Sequence, residues 1–127
     1  MTSGSAHNTH APAWVTIDLS ALAENYRLFR QKAGMDCQVA GVVKADGYGL
    51  GVKKVLAALE NENCPFYYVA TPDEALQLRA LTRKPVAVLG GAYPGTEQDF
   101  IHHNIIPVLN TLADIERWQE QGRQHNI

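Results

Sequence analysis

The stretch "QVAGVVKADGYGLG", Gln38 to Gly51, holds the key to the fold. "QVAGVV" is short and apolar on both faces, the pattern of a strand in a parallel sheet covered on each side. Lys44 stands at its end, and a turn rich in glycine (Gly47, Gly49, Gly51) follows at once. Beyond the turn, Val52, Val55, Leu56 and Leu59 share one face of a helix. A strand, a turn and an amphipathic helix make one βα unit, so the fold depends on whether that unit repeats.

It repeats downstream. "FYYVA", Phe66 to Ala70, reads as a strand. It leads into Thr71-Pro72-Asp73-Glu74, with Thr at the cap, Pro at the first helical position and Glu at the third, a capping box. Ala75, Leu78 and Leu81 then form one stripe. "PVAVLG", starting at Pro85, and "IIPVLN", starting at Ile105, read as two more strands; Pro107 puts the second at an edge or an irregularity. Thr111 with Asp114 opens a last helix that carries Leu112, Ile115 and Trp118 and is expected to run out near Gly122.

Upstream, "WVTID", Trp14 to Asp18, alternates and reads as an opening strand. Ser20 is the expected N-cap of a helix with Leu22, Tyr26, Phe29 and Ala33 on one face, stopped by Gly34. Residues 1–13 are small and polar and read as a flexible tail, leaving 14–127 as the folded part. Strand and helix alternate four times after the opening strand, which points to right-handed βαβ units and a parallel sheet. Two architectures satisfy this: a doubly wound open sheet and a (β/α)8 barrel. Eight units need about 250 residues. A chain of 127 residues therefore holds about four βα units and, on the barrel reading, an incomplete barrel.

Composition excludes several functions. The chain is 46% hydrophobic and 19% charged, with a formal net charge of −2 and scattered basic residues, which argues against a nucleic-acid partner. No apolar run reaches the length of a membrane span, and the leader lacks the features of a secretory signal, so a cytoplasmic protein is expected. Cys37 and Cys64 have no zinc-like spacing and read as reduced, structural thiols. His7 and His10 belong to the tail, and His102 and His103 suit the end of a short helix. No metal site is expected.

Lys44 is the residue that asks for chemistry. In parallel α/β folds, ligands bind at the carboxyl ends of the strands, where Lys44 stands. The glycine turn before a helix favours an anion through free N–H groups and the helix dipole. The order of residues fits neither a dinucleotide fingerprint nor a Walker A loop. The pattern leaves two readings open: a lysine snorkelling to solvent, or an amine that forms a Schiff base, as in pyridoxal-phosphate enzymes.

The residues also resemble a known family. "VVKADGYGLG" is similar to the pyridoxal-phosphate attachment segment of alanine racemases. "AWVTIDLSALAENYRLFR", "YVATPDEALQLR" and "PVAVLGG" resemble the neighbouring units of that family, so the likeness covers residues 14 to about 118. It implies a fold-type III enzyme whose N-terminal domain is a (β/α)8 TIM-like barrel, present here only in its first part. It implies pyridoxal 5'-phosphate as cofactor, alanine as substrate and a homodimer as the full-length enzyme. Lys44 would hold the cofactor covalently and act as one of two bases, and the Tyr48 hydroxyl would bind the cofactor phosphate. The second base, a tyrosine from the other subunit, would lie beyond residue 127, and the chain alone is expected to be inactive or nearly so. Gly47 stands where the family commonly has alanine, and Leu50 where it has histidine. Tyr93 is a further candidate for the pocket wall. Asp73 and Glu74 are explained by their helix start. Related type III racemases or decarboxylases, a non-catalytic cofactor-binding barrel protein and a truncated inactive product are the competing readings.

Overall fold

The computed structural model describes residues 10 and 12–126. Most of the predicted tail lies outside the described residues. Helix α1, Leu19–Ala33, comes first. Four strands follow: β1 (Gly41–Val42), β2 (Tyr67–Val69), β3 (Val86–Val88) and β4 (Ile105–Pro107). Between and after them lie a one-turn segment α2 (Lys44–Tyr48) and the helices α3 (Val52–Asn61), α4 (Pro72–Arg79), α5 (Glu97–His103) and α6 (Leu112–His125).

The four strands are parallel and pair in chain order, β1-β2-β3-β4. A doubly wound sheet reverses its order at a switch point. This one does not, so its right-handed crossovers place the helices on one face, as in a barrel. The fold is the first part of a (β/α)8 barrel, with the barrel incomplete.

The register separates the two faces. One row runs Gly41, Tyr67, Val86 and Ile105, and with Val43, Val69 and Val88 it is buried beneath the helices. Val55, Leu56 and Leu59 of α3, Leu78 of α4 and Phe100 of α5 complete that core. The alternate row runs Val42, Tyr68, Ala87 and Ile106; Val42 and Ile106 are 42% and 47% exposed. Both rows are apolar, as a strand covered on both sides requires, but the second is open on the two outer strands while Ala87 between them is buried.

Several local expectations change. Trp14–Asp18 forms no strand among the described residues, and Trp14 and Val15 are 71% and 87% exposed. β1 is the outer strand of the sheet, and no strand pairs with its far edge among the described residues. The cap of α1 is Asp18 rather than Ser20: its carboxylate accepts the N–H groups of Ser20 (2.8 Å) and Ala21 (3.1 Å). A carboxylate also complements the helix dipole, which a serine hydroxyl does not. Of the predicted stripe on α1, Tyr26 is buried, its hydroxyl donating to the Val39 carbonyl at 2.7 Å, while Phe29 is exposed beside the open edge. Leu81 falls past the end of α4 and is exposed. The last helix passes through Gly122 to His125, where Asn126 caps it in a left-handed conformation. Pro107 does lie on an edge strand, and both capping boxes form. Cys37 is exposed and Cys64 buried, both free thiols.

Candidate active site

The carboxyl end of β1 carries the turn that the sequence singled out, and its backbone is unusual. Ala45 (φ 51, ψ 53), Asp46 (φ 53, ψ 45) and Gly47 (φ 64, ψ 42) are all left-handed, as are Tyr48 (φ 59) and Gly49 (φ 77). α2 is thus a single turn of left-handed helix. Each non-glycine residue held there costs about 1–2 kcal/mol, and Ala45, Asp46 and Tyr48 are three of them. Such a turn persists only where its surroundings hold it.

The braces are visible. Within the turn, the Gly47 N–H donates to the Val43 carbonyl (3.0 Å), Gly49 to Ala45 (2.8 Å) and Gly51 to Asp46 (2.9 Å). The Asp46 carboxylate accepts the Val52 N–H at 2.8 Å and so caps α3. Gly47 is buried; a Cβ there would stand 3.2 Å from a Val55 methyl and 3.3 Å from the Val52 Cα, so the turn lies directly on α3. From the next unit, Glu74 reaches across: one carboxylate oxygen accepts the Ala45 N–H at 2.7 Å, and the other accepts Ala70 (2.7 Å) and Thr71 (3.3 Å). Charge-assisted bonds of this kind each contribute about 1.5–3 kcal/mol, enough to offset the strain.

These bonds revise the idea of an anion-binding turn. The N–H groups of Gly47, Gly49, Gly51 and Val52 are already committed, the last to the chain's own Asp46. Those four donors are not open to an anion.

Lys44 is half-buried at the strand end. Among the described residues its amine has no hydrogen-bond or ion-pair partner, although its charge reaches Glu74. Burial works to raise the Glu74 pKa. The N–H donors of Ala45, Ala70 and Thr71, with Lys44 behind them, outweigh it and hold the carboxyl below its ordinary value. Tyr48 is 61% exposed; its residue lines a groove with Val42, Gly47 and Leu50 on one side and Leu22 and Phe29 of α1 on the other. Tyr93 stands apart, in a groove between α4 and α5 with Pro72, Leu76 and Phe100. His102 and His103 end α5 edge to face at 4.8 Å, and no cluster of metal ligands occurs among the described residues. No helix there is long and apolar enough to cross a membrane.

Two roles were not visible in the sequence, where Glu74 is explained by its helix start alone and Arg117 is not singled out. Glu74 has a second role besides its cap, because its third partner belongs to a different βα unit and no local pattern records that. Arg117 of α6 pairs with Glu97 at 2.6 Å and with Asp114 at 2.8 Å, and donates to the Ala92 carbonyl at 2.9 Å, tying the loop after β3 to α6. The one local signal was the spacing of Asp114 and Arg117, three residues apart on one helix.

The fold and site define a class: the opening units of a parallel βα barrel with a lysine at the carboxyl end of a strand. The family model Alanine racemase, N-terminal domain, matches residues 17–127. Alanine racemase from Rickettsia prowazekii is 42% identical over 106 residues, covering 82% of this chain and 26% of that protein. A catabolic alanine racemase from Mesorhizobium japonicum is 44% identical over 114 residues, covering 86% of this chain and 29% of that protein. The crystal structure of alanine racemase from Bartonella henselae with covalently bound pyridoxal phosphate matches with a TM-score of 0.82 at 37% identity, covering 87% of this chain and 31% of that one. The chain belongs to the alanine racemase N-terminal domain family. It spans 26% to 31% of the length of these three relatives.

Proposed function

We propose that this chain is the lysine-bearing part of a pyridoxal-phosphate-dependent alanine racemase, which interconverts L- and D-alanine and supplies D-alanine for peptidoglycan. The observation that carries the reading is Lys44 at the end of β1, on a strained turn braced by two carboxylates, in a chain of this family.

The side chains fit the cofactor. The half-buried Lys44 amine has no partner of its own among the described residues and is suited to hold an aldehyde covalently. The exposed Tyr48 phenol can donate a hydrogen bond to a phosphate without changing net charge. When bound, pyridoxal phosphate supplies an electron sink that makes the α C–H of an amino acid acidic enough to lose its proton. Once the incoming substrate amine has displaced it from the aldehyde carbon, Lys44 Nζ would be a free amine able to take that proton on one face and return it. Racemisation needs a second base on the opposite face, which we assign to the rest of a whole homodimeric, cytoplasmic enzyme. This chain alone would bind the cofactor and turn over little or nothing.

The test is direct. The chain is mixed with pyridoxal phosphate, reduced with borohydride and mapped by peptide mass spectrometry. Label should fall on Lys44 and vanish in Lys44→Ala. Label spread over Lys32, Lys53, Lys54 and Lys84, and unchanged in Lys44→Ala, would overturn the reading.

A further inference from the structure

Two capping boxes in this chain permit an internal comparison. At α6, Thr111 is the cap and Asp114 the third helical residue; one Asp114 oxygen accepts the N–H groups of Asn110 (3.1 Å) and Thr111 (3.0 Å). At α4, Thr71 is the cap and Glu74 the third residue, and one Glu74 oxygen accepts the equivalent pair, Ala70 and Thr71. Aspartate therefore suffices to close such a box in this protein. Glutamate at 74 is one methylene longer than the box requires. Its other oxygen has moved beyond its own helix to the Ala45 N–H, 29 residues away in sequence and next to Lys44.

We propose that Glu74 is a positioning residue for Lys44: by gripping the Ala45 N–H it holds the left-handed turn that sets where the lysine amine points. Ala45 is the first left-handed residue of the turn and a poor choice for that conformation, since alanine has neither the freedom of glycine nor the local side-chain bonds of aspartate. Asp46 braces the far end of the turn through Val52 and Gly47 braces its middle by lying on α3. Among the described residues, Glu74 supplies the hydrogen bond that fixes the Ala45 N–H from outside the turn. The carboxylate links the ends of β1 and β2, so it also fixes the spacing of two strands at the rim. The inference rests on the reading of Lys44 as the cofactor amine only for its consequence in cofactor attachment; the grip on the turn stands apart from it.

Glu74→Asp separates the two roles, because it keeps a carboxylate able to close the box but shortens the reach. The exchange rates of the Ala45 and Thr71 amides are measured by NMR, and the selectivity of borohydride-trapped pyridoxal phosphate for Lys44 over Lys53 and Lys54 by mass spectrometry. Glu74→Asp should speed Ala45 exchange by about tenfold or more, the loss expected for one charge-assisted bond. It should leave Thr71 exchange within about twofold and lower the selectivity for Lys44 several-fold. Thr71→Ala loosens the helix cap without touching the Ala45 bond and should leave Ala45 exchange and Lys44 selectivity as in the wild type. Unchanged Ala45 exchange in Glu74→Asp, or equal loss of selectivity in Thr71→Ala, overturns the proposal by reducing Glu74 to a cap. If wild-type Lys44 takes no label, the cofactor reading fails, and Ala45 exchange still decides the brace.

Discussion

Replacing Gly41 with alanine puts a methyl group where the core has no room for one. Gly41 begins β1, on the buried row beside Tyr67. An ideal Cβ there would stand 2.9 Å from Leu59 Cδ1, 3.0 Å from Tyr67 Cδ1 and 3.2 Å from Tyr67 Cε1. The leucine methyl ends a flexible side chain, but Leu59 is itself buried in the core and can yield only in part. The tyrosine ring is fully buried and cannot. Overpacking of this kind costs about 1–3 kcal/mol, and the loss of glycine's freedom in the unfolded chain returns about 0.4–1 kcal/mol. The net expectation is destabilisation by about 1–2 kcal/mol, read from urea unfolding at constant m-value. Made in a Leu59→Ala background, the same substitution should cost at least about 0.5 kcal/mol less, because one of the close contacts is gone. A Gly41→Ala protein as stable as the wild type would refute the close approach. Equal cost in the two backgrounds would refute Leu59 as a limiting contact.

Two further outcomes follow from the charged groups. Arg117→Ala leaves Glu97, whose side chain is 9% exposed, without its counter-charge and releases the Ala92 carbonyl. Breaking a buried pair costs about 3–5 kcal/mol; the guanidinium is 24% exposed, and solvent screening brings this to about 2 kcal/mol. Thermal unfolding should fall by several degrees, and a midpoint within about 1 °C of the wild type would remove the pair from the stability argument. The pH dependence lies on the acid side. Because the Glu74 pKa is lowered on folding, its stabilisation is complete above its ordinary value of 4.5 and is lost as pH falls through the folded value. Protection factors of the Ala45 and Thr71 amides should hold from neutral pH down to about 5 and decline below it. Loss of Ala45 protection already near pH 6 would contradict the assignment.

Repetition made most of the architecture legible in the sequence. Four apolar runs, each followed by a helix, fix parallel βα units, and the structure pairs them in chain order. Thr71 with Glu74 and Thr111 with Asp114 were readable because a capping box is complete within four residues. What failed was non-local. Trp14–Asp18 has the alternation of a strand, but alternation alone supplies no partner strand, and the segment joins no sheet among the described residues. Phe29 and Leu81 have the right spacing for a buried stripe, yet spacing does not say whether a second element faces it. The site divides in the same way. Lys44 stands out in the sequence by its place at a strand end, whereas Tyr48 is singled out only through the resemblance of the segment to a family. The left-handed winding was only half visible, since Gly47 and Gly49 suggest positive φ while Ala45 and Tyr48 argue against it.

That conflict between local preference and observed backbone says how the seat is built. A turn that its own residues disfavour must be held by residues outside it. Here the holders are few and close in sequence: Val43 before the turn, Val52 and Val55 after it, and Glu74 from the next unit. The structure thus places every brace of the Lys44 turn within residues 43 to 74, inside the first two βα units of the sheet. Tyr48 is treated differently. Its backbone is left-handed like its neighbours', but 61% of its surface is open. Strain and bracing are therefore concentrated on the backbone beside Lys44, while the phenol is held by its main chain alone. On the proposed roles, covalent attachment would demand one geometry of the Lys44 amine, whereas a phosphate donor at Tyr48 would tolerate several. The distribution of braces matches that difference in demand.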